Sequence, residues 1–265
     1  MTPAFESAIG QRRGAFQVEL QRGVYEAIFR RRDIREFLPD DVPDEVLARV
    51  LVAAHHAASV GFTQPWDFIV VRDRARRHEV RRVFEQERRK NAEQFSGARR
   101  DKFLSLKLEG ILEAPLNLIV TCKPERFGPG VLGKVSITDV EVYSVCLAVG
   151  NLWLAARAEG LGVGWVSIVR NEELHRIFGI PADVIPIAYL CVGYPVTFPP
   201  QPLLESAQWA ARLPPGQLLH FDSWDNATEP NGHVAELVRD ARIWRGLLPS
   251  SIDAAMEPKK DGDAS

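Results

Sequence analysis

Residues 138–169 read TDVEVYSVCLAVGNLWLAARAEGLGVGWVSIV, and this stretch decides the fold. Thr138 and Glu141 have the spacing of a capping box, which predicts a helix over 139–159. Gly160 is placed to end that helix, and Val163–Val169 reads as a strand. The helix is apolar nearly all round, so we expect it to be buried on every side or shared with a second subunit.

The remaining pattern surrounds this stretch with a mixture of strands and helices that do not alternate strictly. This mixture favours an α+β fold over a doubly wound sheet. The chain has 265 residues, which is enough for one large domain or two small ones. A C-terminal extension over 226–265 is expected to hold one more helix and a disordered tail. Further strands are predicted at 68–71, 116–120 and 185–192, and further helices at 16–31, 44–58, 74–95 and 234–247.

The composition excludes several classes of protein. Hydrophobic residues make up 46% and charged residues 26%, which is typical of a globular protein. The net charge of −2 gives no global basic field for nucleic acid, and no apolar run is long enough to span a membrane. The three cysteines are far apart and no Cys/His cluster is present, so we expect free thiols and no metal site. No signal core is seen at the N-terminus, and we expect a cytoplasmic protein.

Residues 72–102 are locally basic, with twelve basic and six acidic side chains. The simpler interpretation is a solvated helix face with i,i+4 ion pairs. The functional alternative is a patch that binds nucleic acid.

Two polar features stand out as candidate site residues. The run RRRDIR at 30–35 is either a solvated helix end or a phosphate clamp, because arginine presents a planar fork of donors. Asp33 either neutralises this run or faces a ligand as an acid/base group. Ser167 lies in the predicted strand, where a buried hydroxyl needs either a backbone or a ligand partner. The glycines of 160–164 follow a helix and precede a strand, which is the wrong order for a dinucleotide-binding loop.

Four motifs in order resemble the nitroreductase-like flavoprotein superfamily. They are the Arg-Arg-x-x-Arg-x-Phe motif at Arg31–Phe37, the Ser-x5-Pro-Trp loop at Ser59–Trp66, the glycine-rich turn at Gly160–Trp165, and Arg-Leu-Pro at Arg212–Pro214. Together they cover roughly residues 20–225, and the resemblance implies a single domain over 15–225. The resemblance implies an α+β sandwich with a central, mostly antiparallel sheet flanked by helices. It also implies an intertwined homodimer that binds flavin mononucleotide (FMN).

Within the superfamily, the motifs are similar to those of the flavin-destructase branch, the 5,6-dimethylbenzimidazole synthases. Asp33 stands where typical reductases have serine, Phe62 where they have asparagine, and Ala210 where they often have lysine. This branch consumes reduced FMN and O2 and releases 5,6-dimethylbenzimidazole, the lower ligand of cobalamin, with erythrose 4-phosphate. A separate flavin reductase would supply the reduced flavin.

The resemblance also implies roles for individual residues. Asp33 and Ser167 are the expected catalytic residues, and residues 96–114 are the expected lid over the flavin ring. The expected FMN-binding residues are Arg31, Arg32, Asp33, Ile34, Arg35, Ser59, Gly61, Leu108, Ser167 and Arg212. Two other functions stay open: an NAD(P)H-dependent nitroreductase or quinone reductase, and a flavin carrier without turnover.

Overall fold

The computed structural model describes residues 14–229 and 232–239. The strands are β1 (Trp66–Val71), β2 (Leu116–Cys122), β3 (Gly162–Trp165) and β4 (Ile185–Gly193). The helices are α1 (Val18–Arg30), α2 (Asp44–His55), α3 (Arg74–Ala92), α4 (Gly97–Ser105), α5 (Val140–Ala158), α6 (Asn171–Phe178), α7 (Leu203–Ser206) and α8 (Val234–Arg239). Short 3-10 turns lie at Val60–Phe62 and Pro215–Leu218. In the described part of the chain, no helix is long and apolar enough to cross a membrane.

The four strands form one sheet in the order β1-β2-β4-β3, and every neighbouring pair is antiparallel. The predicted α+β fold with a mostly antiparallel central sheet is therefore confirmed. Every residue of β2 is buried, which is expected of a central strand covered on both faces.

Two hydrophobic cores lie on the two faces of the sheet. Successive residues of a strand point to opposite faces, so Leu118 and Val120 enter one core whereas Ile119 enters the other. The first core contains residues of α2 and α5, and the second contains residues of α3 and α6. The sheet is thus the middle layer between two layers of helices. Packing on both faces fixes the positions of its edge strands.

The segment that follows α1 runs along the free edge of β3. Asp33 forms a parallel bridge with Val163, and Phe37 forms an antiparallel bridge with Pro195. Gly164 permits this close approach, since a Cβ atom there would lie 2.0 Å from the carbonyl oxygen of Ile34. The glycine-rich turn therefore accommodates the chain's own backbone.

Helix α5 has the predicted position, but its start differs from the prediction. The capping box is wrong, because Asp139 is the N-cap and makes no side-chain cap hydrogen bond. Glu141 is instead 2% exposed, and its carboxylate lies 2.8 Å from the ammonium group of Lys134. This ion pair attaches the preceding loop to the first turn of α5.

The prediction that α5 is buried on every side fails within a single chain. One face, which includes Val145 and Leu152, packs against the sheet. Tyr143 and Leu147 on another face are 55% and 54% exposed. The second half of the prediction, a helix shared with another subunit, remains as a hypothesis.

The chain divides into two compact units. One unit is Arg31–Pro199 and contains the whole sheet. The described residues of the other unit are 14–30, 200–229 and 232–239. The single domain over 15–225 stays a prediction. The part of the extension helix beyond α8 and the expected tail lie outside the described residues.

Candidate active site

Three hydrogen bonds fasten the candidate site segment to β3. The backbone N–H of Ile34 donates to the carbonyl oxygen of Val163 at 3.0 Å. The backbone N–H of Trp165 donates to Oδ1 of Asp33 at 2.9 Å. Nη2 of Arg35 donates to the carbonyl oxygen of Trp165 at 2.8 Å and also contacts Oδ2 of Asp33. The carboxyl group of Asp33 is therefore fixed at the end of β3.

Asp33 combines an accessible side chain with a perturbed pKa. The side chain is 43% exposed, yet protein atoms crowd its carboxyl group, and this desolvation raises the pKa of Asp33. The charge of Arg35, the N–H of Trp165 and the charge of Arg31 all act in the opposite direction. A positioned carboxyl group with a raised pKa is suited to exchange protons with a ligand.

Arg35 has a structural role that the sequence did not indicate. Its side chain is only 11% exposed. Its Nη1 lies close to Gly164 and is buried without a hydrogen-bond partner among the described residues. The guanidinium group thus anchors the segment and keeps a positive charge beside Asp33. Its predicted contact with a flavin stays a prediction.

Trp153 of α5 supports the two preceding arginines, and sequence reasoning missed this role. The guanidinium carbon of Arg31 lies 4.9 Å from the centre of the Trp153 ring, within cation–π range. The indole N–H donates to the carbonyl oxygen of Arg32 at 3.3 Å, and Nη1 of Arg32 donates to the carbonyl oxygen of Arg31 at 2.8 Å. In the sequence, Trp153 looked like one more apolar residue of the helix.

The structure corrects the environment predicted for Ser167. Strand β3 ends at Trp165, so Ser167 lies beyond it, as an exposed residue between the buried Val166 and the half-buried Ile168. Its hydroxyl is open to a ligand and needs no internal partner. Ile34 is the opposite case, since its side chain is 3% exposed and faces Gly162. Leu108 is half-buried between α4 and β2 and packs against the second core.

The loop that contains Ser59 contacts a different part of α5, near Ser144. Oγ of Ser59 accepts the backbone N–H of Gln64 at 3.1 Å, and the N–H of Val60 donates to Oγ of Ser144 at 3.2 Å. Gly61 has a φ of +60°, which glycine adopts readily. Trp153 follows Ser144 by nine positions, a rise of about 13.5 Å along α5.

Within one chain, the predicted ligand residues therefore form two groups along α5. One group surrounds Asp33 and the other surrounds Ser59. Arg212 lies in the other compact unit, in the coil before the turn Pro215–Leu218. Its predicted contact with a phosphate stays a prediction. Among the residues that the structure describes, no cluster of three or more His, Cys, Asp or Glu side chains is arranged to hold a metal ion.

Comparison with known proteins identifies the family. Residues 28–194 match the nitroreductase family, and this match contains the sheet, α5 and both groups of site residues. The chain belongs to the nitroreductase family. A curated relative in this family, the 5,6-dimethylbenzimidazole synthase of Rhodospirillum rubrum, is 40% identical over 190 residues, which are 71% of this chain and 90% of the relative.

Solved structures of nitroreductase-like proteins have the same fold. A crystal structure of iodotyrosine deiodinase bound to FMN and 3-iodo-L-tyrosine matches with a TM-score of 0.57 and 27% identity, over 67% of this chain and 92% of that one. A BluB-like flavoprotein from Clostridium difficile 630 matches with a TM-score of 0.56 and 20% identity, over 76% of this chain and 99% of that one. The second similarity concerns the fold alone.

Proposed function

We propose that this nitroreductase family member is a 5,6-dimethylbenzimidazole synthase that uses reduced FMN as its substrate. With O2 it fragments the flavin to 5,6-dimethylbenzimidazole and erythrose 4-phosphate. The observation that carries this proposal is the accessible carboxyl group of Asp33, fixed at the end of β3 beside Arg35. Support comes from the relatives, since the synthases of Rhodospirillum rubrum and Rhodobacter capsulatus are 40% and 38% identical to this chain.

The donor set in the structure fits a flavin nucleotide. Arg31 offers a cation that the Trp153 ring holds in place, which suits a phosphate group. Asp33 and Ser167 offer an accessible carboxyl group and an exposed hydroxyl close to the end of β3. Hydrogen-bonding side chains of this kind suit a polyhydroxylated chain and the polar edge of a ring.

Each residue has a distinct task in this proposal. When bound, reduced FMN supplies the electrons for the reaction with O2. Arg31 and Arg212 bind the phosphate, and Arg35 places positive charge near the reduced ring. Asp33 moves protons at the ribityl carbon attached to the ring, which stays in the benzimidazole while the other four ribityl carbons leave as erythrose 4-phosphate. Ser167 donates or accepts a hydrogen bond near ring atom N5.

The lid at residues 96–114 has the task of excluding water from the ring. Helix α4 and the half-buried side chain of Leu108 belong to this segment. Water exclusion matters because it suppresses side reactions of a reactive flavin. Since a covered ring leaves little room for a nicotinamide, a separate flavin reductase supplies the reduced FMN.

The alternative is an NAD(P)H-dependent nitroreductase or quinone reductase, and one experiment separates the two functions. The protein is mixed in air with FMN and NAD(P)H, either with a nitroaromatic compound or with an added flavin reductase. The proposal predicts slow NAD(P)H oxidation in the first mixture and benzimidazole in the second. Fast nitroaromatic reduction in the first, with all flavin recovered in the second, would favour the alternative.

We also propose that the protein is a homodimer that is joined through α5. Tyr143, Leu147, Gly150 and Leu154 are spaced four, three and four residues apart, which places them on one face of the helix. Tyr143 and Leu147 are more than half exposed although they belong to a largely apolar helix. In such a dimer, the residues around Ser59 of one chain would lie beside the residues around Asp33 of the other chain. Together they would complete one flavin site.

Replacing Leu147 with glutamate is expected to convert the dimer to monomers. Burial of a charge without a partner costs several kcal/mol, by order of magnitude, in an apolar interface. Sedimentation velocity measures the change, with Val52→Glu on the exposed face of α2 as the control. A wild-type protein that is monomeric at all concentrations would contradict the proposal.

Thiol labelling gives an independent test of the same interface. Cys146 is exposed in the single chain and neighbours Leu147, so a dimer is expected to protect it and Leu147→Glu to release it. Burial raises the pKa of Cys122 to about 11 and that of Cys191 to about 12. These two thiols should therefore stay unreactive at pH 8 in both proteins, which provides an internal control.

A further inference from the structure

Arg88 of α3 holds the end of the predicted lid helix. Its Nη2 donates to the carbonyl oxygen of Leu104 and, at 2.9 Å, to that of Leu106. These carbonyl groups belong to the last turn of α4 and to the residue that follows it. Such groups have no partner within the helix, and a cation at this position is also favoured by the helix dipole.

A second arginine on the same face of α3, Arg81, binds the residues that follow α4. Nε of Arg81 lies 3.3 Å from Oε1 of Glu109, a side chain that is only 7% exposed. Oε2 of Glu109 accepts the backbone N–H of Ile111 at 2.7 Å. Arg81 and Arg88 are seven residues apart, or about two turns, and Glu85 between them pairs with both.

On its other side, this segment touches the candidate active site. A Cβ atom on Gly110 would lie 2.8 Å from the carbonyl oxygen of Arg35 and 2.6 Å from the ring of Phe37. Residues 104–111 are therefore fixed between α3 and the segment that carries Asp33.

The start of α4 has a different environment. Gly97 has a φ of +52°, and a Cβ atom there would meet nothing within 4 Å. Ser96, the N-cap, makes no side-chain cap hydrogen bond. Phe95, just before the helix, packs against Phe103 with ring centroids 5.2 Å apart. The end of the lid helix is thus anchored to α3 next to the site, whereas Phe95 near its start packs against the same helix.

We infer that Arg88 is a positioning residue that keeps the lid closed over the flavin while O2 reacts. Opening for flavin entry begins at the Gly97 end, and Arg88 retains the Leu104–Leu108 end against the site. The inference deepens the proposed function and rests on it. Arg88 acts through the lid segment, since its donors are bonded to Leu104 and Leu106.

Arg88→Met tests this inference because it keeps an unbranched stem and removes every donor. Reduced FMN is mixed with each variant under anaerobic conditions and then exposed to air, and benzimidazole and oxidised FMN are quantified. We expect the ratio of benzimidazole to oxidised FMN to fall at least about tenfold, the factor that corresponds to the loss of a single hydrogen bond from a charged donor. Arg88→Lys, which keeps the charge, is expected to give an intermediate ratio.

Arg89→Met is the matched control, since Arg89 is the next residue on α3 and is exposed. Amide hydrogen exchange gives a readout that does not depend on turnover. Bound oxidised FMN should slow exchange over 104–108 in the wild type and in Arg89→Met, and much less in Arg88→Met.

The outcomes separate this inference from the proposed function. Unchanged exchange in Arg88→Met would overturn the role of Arg88. Faster exchange in Arg88→Met with an unchanged product ratio would show that Arg88 has only a structural role, and this would also overturn the inference. A wild type that makes no benzimidazole would refute the proposed function, whereas the FMN-dependent exchange would still test whether Arg88 holds the lid.

Discussion

Asp33→Asn is expected to lower the rate of flavin fragmentation by about 10²-fold or more, the usual contribution of a positioned acid/base group. Asparagine keeps an oxygen for the N–H of Trp165, which donates to Oδ1 in the wild type. The segment should therefore stay on β3 and FMN should still bind. Benzimidazole formation by chromatography and FMN affinity by fluorescence quenching measure the two effects separately.

The pH dependence sharpens this prediction. Desolvation raises the pKa of Asp33, so its carboxylate is lost at a higher pH than that of an ordinary aspartate, which is about 3.9. The wild-type rate should fall as the pH drops through the raised pKa of Asp33, and the residual rate of Asp33→Asn should not show this step. A raised pKa also means that ionised Asp33 stabilises the fold less than protonated Asp33, so the asparagine should not unfold the protein.

Asp67→Asn is the matched control for Asp33→Asn. Asp67 is a half-exposed aspartate of β1 that also pairs with an arginine, Arg126. This variant should fragment flavin at the wild-type rate. Normal benzimidazole formation by Asp33→Asn would show that the assignment of Asp33 is wrong.

Gly164→Ala is expected to have the largest effect on the structure of the site. The added Cβ atom would lie 2.0 Å from the carbonyl oxygen of Ile34 and 2.5 Å from Nη1 of Arg35. Since the backbone N–H of Ile34 and Nη2 of Arg35 bind these two residues to β3, the added methyl group must push the segment away from the strand. We expect a loss of stability of about 1–3 kcal/mol, typical of overpacking, together with loss of FMN binding.

Urea unfolding and FMN titration measure these two losses, with Gly130→Ala as the control. A Cβ atom on Gly130 would meet nothing within 4 Å, so this alanine should leave both quantities nearly unchanged. Wild-type stability and affinity in Gly164→Ala would contradict the close packing of Ile34 on β3.

The fold was largely predictable because its strands and helices have strong local patterns. Periodicity located all four strands and α5, and Gly160 marked the end of that helix. The capping box failed because Glu141 has a better partner in Lys134, a contact that depends on how the preceding loop folds back. Local spacing does not reveal such a contact.

The sequence was sufficient to predict which residues form the candidate site, but not how their side chains are arranged and supported. Asp33 and Arg31 were recognised from their motif, whereas the support from Trp153 arises only when α5 packs beside the segment. Ser167 was expected in a buried strand because its neighbours are apolar, yet β3 ends two residues earlier. The residue pairs between β3 and β4 end at Trp165 and Leu190, with one further hydrogen bond from the N–H of Val166 to Tyr189, and the length of this pairing is a tertiary property.

The most direct test of the proposed chemistry is the stoichiometry of a single turnover. Protein in excess is mixed anaerobically with reduced FMN and then exposed to air, and benzimidazole, oxidised FMN and total flavin are quantified. The account predicts one benzimidazole for each flavin lost in the wild type, and recovery of the flavin as oxidised FMN in Asp33→Asn. Full recovery of oxidised FMN from the wild type, with no benzimidazole, would contradict it.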